Sequence, residues 1–426
     1  MVSASTEQVS GQSPLISKQN KASNIFASLT GIKYIFQRRN GSLKSKGERG
    51  NISLRALDRW LGIPLVFILG VMRPRRSLPQ TVDSIGLFMF GAIGDSLIAA
   101  SVIADLKQRF PGAEIVGFIS EANRGIVQIL DGLDECVVVP VSRPHRAVRA
   151  VRCRPVDILL DFSPWPRTGA VLSALAKTGY TVGLRRAGQY RHFAYDAIGE
   201  HRNDRHEIEN LRDVVRCLGI EPLGRARLKA ALLVQPLPAE LALPYVVFHP
   251  WAAGYRHELR EWPDRCWVEL AQALIADGYR IVLSGGPEDR QRSQDLAQAI
   301  GAGSAIVLAG IASLAQMTTV LAKAAAVVSV NTGIMHLAAV LDCPLVALHG
   351  PTNPLRWGPL GARSMVLGPG ADRGGAYLDL GFEYPPAAQE IMGMITVAEV
   401  LGCLGGLLPA TIATSAGNAS NLETVP

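Results

Sequence analysis

The sequence predicts an α/β fold with two Rossmann-like halves, and three observations support this. From Ser84 onward, short apolar runs alternate with helical segments, a succession typical of a parallel sheet covered by helices. The pattern stops at a proline-rich segment, Leu233–Tyr245, and then starts again. The length of 426 residues exceeds the roughly 250–300 residues that one hydrophobic core usually organises. We therefore expect two domains that face each other across a cleft.

Changes in composition and periodicity set the predicted boundaries. We expect a basic extension over residues 1–80, a first domain over 81–240, a second domain over 241–408 and a flexible tail over 409–426. The predicted strands are Ile85–Phe90, Ile115–Ile119, Cys136–Val139 and Ile158–Leu160, then Tyr245–His249, Arg280–Ser284, Ala305–Leu308, Val327–Val330 and Leu345–Leu348. The predicted helices of the second half are Trp262–Asp277, Pro287–Ile300, Ser313–Ala324, Gly333–Leu341 and Ile395–Leu408. In the first half, apolar residues recur every four positions from Ile98 to Phe110 and predict one helix.

Positive charge is concentrated in two regions of a chain whose net charge is +7. Residues 1–80 contain 13 Lys and Arg against three Asp and Glu, and residues 141–230 contain 17 against nine. The densest run is Arg143, Arg146, Arg149, Arg152 and Arg154. Such regions are either solvated faces or surfaces that attract an anionic partner such as a phosphorylated lipid. No nucleic-acid partner is expected, because no aromatic residues alternate with the basic ones and no known nucleic-acid motif is present.

The segment Trp60–Met72 contains 13 residues without a charge and has arginines on both sides. It is shorter than the roughly 20 residues that span a bilayer and too far from Met1 for an ordinary signal peptide. It is either a shallow anchor on an anionic membrane surface or a core helix packed on the first domain. The six cysteines form no CxxC pair, so we expect no zinc site or dense disulfide framework, and a reducing cytoplasm fits best.

A glycine turn with one carboxylate follows the first predicted strand. Its glycines, Gly91 and Gly94, permit a sharp turn and a close approach to a ligand. The third glycine of a dinucleotide fingerprint is missing, and no acidic residue ends the next strand, so a nicotinamide enzyme is disfavoured. Asp95 either caps the following helix or acts as a general base at the mouth of a cleft.

Two loops of the second half have residues suited to a phosphorylated ligand. Asn331, Thr332 and Gly333 bring free backbone N–H groups to a helix start, where a phosphate is favoured. His336 follows one turn later and is either a ligand contact or a buried structural histidine. A further loop, Gly350, Pro351 and Thr352, follows the next strand, at the edge where open α/β sheets bind ligands.

Two charged residues stand on other loops of the same half. Arg260 precedes a predicted helix and could pair bidentately with a diphosphate. Glu288 follows a Gly-Gly pair, where it could hold ribose hydroxyls or simply complement the dipole of the helix that it opens.

Taken in order, these motifs resemble glycosyltransferase family 9, the heptosyltransferases of lipopolysaccharide core assembly, over roughly Ser84 to Leu408. The segments that carry the resemblance are Gly94–Asp95, Arg260–Pro263, Gly285–Glu288, Asn331–His336 and Gly350–Thr352. The resemblance implies a GT-B fold, with the nucleotide sugar held by the second domain and the acceptor by the first.

The resemblance also implies roles for individual residues. Asp95 would be the general base that deprotonates an acceptor hydroxyl. Thr332 and Gly333 would hold the diphosphate through backbone N–H groups. Arg260 and His336 would lie near the same leaving group, and Glu288 near the ribose. Such a site stabilises the leaving group with fixed donors, so neither a metal ion nor a cofactor is expected.

Two residues depart from the family pattern: Arg260 replaces the usual lysine, and Asn331 replaces the usual aspartate. The implied function is inverting transfer of a heptose or related sugar from a nucleotide-diphosphate donor, ADP-heptose first among them, to a lipopolysaccharide core or similar anionic lipid-linked glycan. The enzyme would act in the cytoplasm, on the inner-leaflet surface of the inner membrane. The alternatives are a GT-B transferase or epimerase that uses another nucleotide sugar, and an inactive glycan- or nucleotide-binding homologue.

Overall fold

A computed structural model gives the fold and describes residues 52–163, 167–232, 241, 244–254, 256–369 and 391–408. For residues 52–57 and 232 it describes the backbone alone. The predicted tail, the first 51 residues of the basic extension and nearly all of the proline-rich segment lie outside the described residues.

The first sheet has six parallel strands. They are β1 (Ser84–Met89), β2 (Glu114–Ile119), β3 (Glu135–Val138), β4 (Val156–Asp161), β5 (Thr178–Arg185) and β6 (Ala197–Glu200). Their order is β3-β2-β1-β4-β5-β6. The first four match the predicted strands to within two residues. The last two were not predicted, because glycines and polar residues interrupt their short apolar runs.

Seven helices accompany this sheet in the described part of the chain. They are α1 (Ile52–Met72), α2 (Ile93–Ala100), α3 (Ile103–Arg109), α4 (Arg124–Val127), α5 (Pro144–Cys153), α6 (Arg167–Leu175) and α7 (Glu207–Arg216). The prediction of one helix through Ile98 and Phe110 is wrong, because the chain breaks between α2 and α3. At the break, the N–H groups of Ser101 and Val102 bond to carbonyls three residues back, which tightens the backbone out of the α-helical path.

The second sheet also has six parallel strands. They are β7 (Tyr245–His249), β8 (Arg280–Leu283), β9 (Ala305–Val307), β10 (Ala326–Val330), β11 (Leu345–Leu348) and β12 (Ser364–Leu367), in the order β12-β11-β10-β7-β8-β9. Its helices are α8 (Asp264–Ala276), α9 (Arg290–Ile300), α10 (Leu314–Ala322), α11 (Gly333–Val340), α12 (Pro354–Trp357) and α13 (Val397–Leu407). Strand β12 was not predicted. It lies at the sheet edge, and the side chains of Met365 and Val366 are exposed, so it lacks a continuous buried run.

We call the first sheet with α1–α7 the first lobe, and the second sheet with α8–α13 the second lobe. One hydrophobic cluster contains buried residues of both, such as Leu106 and Leu160 in the first and Val327 and Leu345 in the second. In each sheet the strand order reverses in the middle, between β1 and β4 and between β10 and β7. Ligands of open α/β sheets bind beside the carboxyl ends of strands at such reversals.

Helix α1 contains the predicted apolar segment and starts before it. Its Val66 is fully buried and packs with Ala170 of α6 and with Ala194. Helix α1 therefore packs on the first lobe, as one of the two alternatives for this segment predicted. Within the described ranges, no helix combines the length and the apolar character needed to cross a bilayer.

Candidate active site

The glycine turn lies at the carboxyl end of β1, at the reversal of the first sheet. Asp95 is the third residue of α2, and Ala92 holds the N-cap position. The Asp95 carboxylate accepts the N–H of Ala92 at 2.9 Å. The interpretation of Asp95 as the N-cap residue is therefore wrong by three positions, although its carboxylate does satisfy a backbone group at this helix start.

Gly91 is required by the position of that carboxylate. A Cβ on Gly91 would lie 2.5 Å from the Asp95 Cβ and 2.7 Å from its Oδ2. Any larger residue would push the carboxylate away from the N–H of Ala92. Since a carboxylate has about four acceptor positions, this hydrogen bond orients Asp95 and still leaves it the chemistry of a base.

Asn123 supports the turn from below and was not recognised from the sequence. Its amide donates to the Met89 carbonyl at 2.5 Å and to the Ser96 hydroxyl at 2.8 Å, and its side chain is fully buried. Its Oδ1 accepts the N–H of Ser120 at 2.9 Å. One side chain thus fixes the ends of β1 and β2 and the first turn of α2.

The second candidate segment lies at the carboxyl end of β10, at the reversal of the second sheet. Thr332 is the N-cap of α11, and Gly333 is its first residue. Asn331 and Thr332 are partly buried between the strand and the helix. The described geometry has a helix N-terminus where the sequence predicted one.

The starts of α2 and α11 are in direct contact, which joins the two lobes. A Cβ on Gly333 would lie 2.5 Å from the Cβ of Ile93, and a Cβ on Gly94 would lie 2.7 Å from the Cδ2 of His336. Two glycines therefore allow this approach. The turn with Asp95 and the segment Asn331–His336 therefore meet at one junction between the lobes.

His336 is buried at this junction, which favours the structural interpretation of this residue. Burial lowers the pKa of His336 to about 3, with smaller contributions from His206 and His349. The ring is therefore neutral near pH 7. It can exchange hydrogen bonds but cannot supply positive charge to a leaving group.

A buried ion pair forms a second bridge between the lobes. Glu207, the first residue of α7, lies 3.1 Å from Arg356 of α12 and 3.0 Å from the Nε2 of His201. Burial alone would raise the pKa of Glu207, but the hydrogen bonds and charges of His201 and Arg356 hold it below its ordinary value. The sequence contains no local signal for this pair, whose members are 149 positions apart.

His206 adds a third contact between the lobes. Its Nδ1 accepts the N–H of Ile208, so its Nε2 carries the proton and donates to the Gly358 carbonyl at 3.0 Å. Burial lowers the pKa of His206, in keeping with this neutral form.

The loop Gly350–Thr352 leads directly into this bridge and is buried. The Thr352 hydroxyl lies 3.3 Å from the Nδ1 of His349, and the Asn353 side chain accepts the N–H of Leu355 at the start of α12. Gly350 packs against the side chain of Met392. These contacts indicate a structural role for the loop: it holds the helix that contains Arg356 in place.

Arg260 and Glu288 lie on the loops that follow β7 and β8, elsewhere along the same edge of the second sheet. Arg260 is buried at the end of a short 3-10 turn and donates to the Ala253 carbonyl. Glu288 is exposed. Its neighbour Asp289 accepts the N–H of Gly286 at 2.8 Å, so Asp289 and not Glu288 caps this helix start.

Arg292, which the sequence did not single out, fixes these two loops to each other. It pairs with Glu261 at 3.0 Å and with Asp289 at 2.8 Å. Its guanidinium lies 4.2 Å from the ring centre of Trp251.

Within the described ranges, no group of three or more His, Cys, Asp or Glu side chains could hold a metal ion.

Comparisons with known proteins agree with this architecture. The family model of glycosyltransferase family 9 (heptosyltransferase) matches residues 146–373. Lipopolysaccharide heptosyltransferase 2 of Salmonella typhimurium is 36% identical over 304 residues, covering 65% of this chain and 85% of that protein. Lipopolysaccharide heptosyltransferase 1 of the same organism is 28% identical over 295 residues, covering 65% and 90%.

Among solved structures, the ADP-heptose lipopolysaccharide heptosyltransferase II of E. coli has a TM-score of 0.62 at 23% identity and covers 76% of this chain and 98% of that one. At this identity the likeness concerns the fold, and it confirms the GT-B prediction of two facing Rossmann-like halves. Together with the family match over more than half of the chain, it leads to one conclusion: this protein is a glycosyltransferase and belongs to glycosyltransferase family 9, the heptosyltransferases.

Proposed function

We propose that the chain transfers heptose from ADP-heptose, with inversion at the anomeric carbon, to a lipopolysaccharide core or a similar lipid-linked glycan. The names of its relatives support this reaction, since they are lipopolysaccharide heptosyltransferases. A solved neighbour, E. coli heptosyltransferase WaaC, is described with ADP and with ADP-2-deoxy-2-fluoro heptose. The observation that carries the proposal is the junction that brings the Asp95 turn to the N-terminus of α11.

Asp95 acts as the general base in this scheme. It takes the proton of the acceptor hydroxyl while the hydroxyl oxygen forms a bond to the anomeric carbon. The bond from that carbon to the diphosphate breaks, and the diphosphate leaves with the electron pair. The hydrogen bond to the N–H of Ala92 keeps the carboxylate in one orientation during the attack.

The second lobe stabilises the leaving diphosphate. The N–H groups at the start of α11, from Thr332 and Gly333, supply fixed donors, and the helix dipole favours negative charge there. Arg260 supplies the positive charge, because His336 is neutral. Glu288, exposed beside the capped helix start, is assigned to the ribose hydroxyls. No metal ion is given a role, and EDTA should leave the rate unchanged.

Asn331 sets this chain apart from the family pattern at the donor site. An amide can donate as well as accept a hydrogen bond, whereas the usual aspartate can only accept. Asn331 is partly buried next to Thr332, so it lies close to the segment assigned to the donor. We expect Asn331→Asp to change the preference between ADP-heptose and related nucleotide sugars more than it changes turnover with a fixed donor.

The enzyme is proposed to work in the cytoplasm at the inner-leaflet surface, where a lipid-linked acceptor is exposed. Support comes from the basic composition of residues 1–80 and 141–230, since both the membrane and the acceptor are anionic.

The test compares Asp95→Asn with the wild type, by mass spectrometry of products formed from ADP-heptose and a core acceptor. Asn keeps an acceptor for the N–H of Ala92 but is not a base, so turnover should fall about 10²–10⁴-fold while ADP binding is retained. Asp131→Asn, which alters an exposed carboxylate of the same lobe, is the matched control. Wild-type turnover in Asp95→Asn would remove this residue from the mechanism, and transfer from GDP- or UDP-sugars in place of ADP-heptose would contradict the donor assignment.

A further inference from the structure

Helix α1 has two different faces. The inner face carries Gly62, Val66 and Gly70, one turn apart, and lies against the first lobe. A Cβ on Gly62 would lie 3.0 Å from the Cδ of Arg167, and Gly70 lies against the backbone of Phe193. These small residues allow close packing of the helix.

The outer face carries a continuous apolar stripe. We define this stripe as Trp60, Leu61, Leu65, Ile68, Val71 and Met72, whose exposed fractions run from 43% to 76%. Their spacing places them along one side of the helix. They are six of the fourteen exposed large hydrophobic residues that the structure describes. A soluble surface scatters such residues singly, so a contiguous patch indicates an interaction site.

Ion pairs fix the helix to the lobe at both ends, so the stripe does not turn inward. Near its start, the Asp58 carboxylate pairs with Arg167 and also accepts the N–H of that residue at 2.9 Å. Just after its end, Arg73 pairs with Asp196 at 2.9 Å and donates to Thr181 at 2.8 Å.

These anchors also set the direction of α1 relative to the candidate site. Arg167 begins the helix after the carboxyl end of β4, and Thr181 lies in the first half of β5. Helix α1 therefore runs opposite to the strands. Its start, with Trp60, lies toward the edge of the first sheet that carries the turn of Asp95.

Exposed cationic residues lie before and after the stripe in the chain. Arg59 and Arg75, one at each end, are exposed. A set of cationic side chains also lines one open cavity beside the end of α1: Arg76, Arg152 and Lys177.

We infer that the stripe is a docking surface for an anionic phospholipid bilayer, with its apolar side chains in the interfacial region and the flanking Arg59 and Arg75 near lipid phosphates. This rests on the proposed function in one respect, that the acceptor is lipid-linked. A second copy of the chain fits less well, because a symmetric pairing of two stripes would bring Arg59 and Arg75 of both copies together. In this orientation, the edge of the first sheet that carries the turn of Asp95, to which the proposed function assigns the acceptor, lies next to the membrane.

The test measures co-sedimentation of the full chain with vesicles of phosphatidylethanolamine and phosphatidylglycerol in a 3:1 ratio, and with vesicles of phosphatidylcholine alone. The variant Leu61→Ser/Val71→Ser should bind the anionic vesicles about tenfold more weakly or worse, because it removes apolar contact with the bilayer. Leu223→Ser/Val366→Ser changes the same number of exposed apolar residues elsewhere and should bind like the wild type. The variant Arg59→Gln/Arg75→Gln should reduce the preference for anionic over neutral vesicles.

Activity on two acceptors separates this inference from the proposed function. The Leu61→Ser/Val71→Ser variant should match the wild type on a deacylated, water-soluble core acceptor and be slower on the same core carried by a vesicle-embedded lipid. Failure of all transfer with ADP-heptose would overturn the proposed function and leave the vesicle result standing. Equal vesicle binding by wild type and stripe variant, absence of wild-type binding, or a wild-type dimer that the stripe variant dissociates would each overturn the docking surface.

Discussion

The contact of Gly333 with Ile93 sets how closely the two lobes approach each other. A Cβ on Gly333 would lie 2.5 Å from the Cβ of Ile93 and 2.6 Å from its Cγ2. Carbon atoms in good contact are about 3.5–4.0 Å apart, so Gly333→Ala requires a shift of about 1 Å between α2 and α11. Alanine keeps the backbone N–H, so the variant changes the fit of the lobes and not the number of donors at the helix start.

The expected magnitude follows from the cost of overpacking. Extra atoms in a closely packed contact cost about 1–3 kcal/mol. If the active geometry needs this contact, Gly333→Ala should lower kcat/KM by about 5- to 150-fold. The assay is initial-rate kinetics with ADP-heptose and a soluble core acceptor.

A second substitution tests the cause. Ile93→Gly removes both atoms that the new methyl group would meet, the Cβ and the Cγ2, so Gly333→Ala/Ile93→Gly should regain most of the activity that Gly333→Ala loses. Gly402→Ala is the control, because a Cβ there meets nothing within 4 Å. Wild-type kinetics in Gly333→Ala, or a loss that Ile93→Gly does not relieve, would refute the reasoning that the lobes must meet at this point.

Two predictions concern the stability of the buried bridges. Arg356→Met leaves the Glu207 carboxylate buried without the guanidinium that pairs with it, and should lower the free energy of unfolding by about 3–5 kcal/mol in urea titrations. The double variant Arg356→Met/Glu207→Gln should lose less free energy of unfolding, because no charge is then left unpaired. Equal losses in the two variants would contradict the coupling. Burial lowers the pKa of His336 to about 3 and that of His349 to about 4, below the ordinary value of about 6.5. Between those values the unfolded chain binds protons that the folded protein excludes, so stability should fall from about pH 6.5 toward pH 4, by up to about 1.4 kcal/mol per pH unit for each ring. Urea midpoints from pH 7.5 to 5 measure this, and an unchanged slope in His336→Gln would contradict it.

The sequence was most informative where a local pattern determines the structure. The continuous apolar runs of β1 and β10 gave the positions of both strands, and the glycines after them gave the turns. The amphipathic pattern could not reveal the break after Ala100, because apolar residues are buried on both sides of it, Ile98 before and Leu106 after. Strands that contain glycine or exposed residues, such as β6 and β12, have too weak an alternation of apolar and polar residues to be recognised as strands from the sequence.

The candidate site was predicted as a set of loops but not as an arrangement. The resemblance of ordered motifs pointed to Asp95 and Thr332, and their roles stay predictions. The meeting of Gly94 with His336 joins residues far apart in the chain. The same is true of Glu207 and Arg356. No local periodicity encodes such pairs, since they depend on how two separately formed sheets pack.

The shared core and the buried ion pair have a consequence for how the protein unfolds. Each lobe has its own sheet, and lobes joined only by a linker would be expected to melt one at a time. Here Leu106 of the first lobe and Val327 of the second belong to one hydrophobic cluster, and separating the lobes would expose Glu207 and Arg356. Loss of either lobe therefore removes a large part of the other's stability. The two lobes should behave as one cooperative unit. A destabilising substitution anywhere in the second sheet should therefore also lower the stability of the first lobe, including the turn of Asp95.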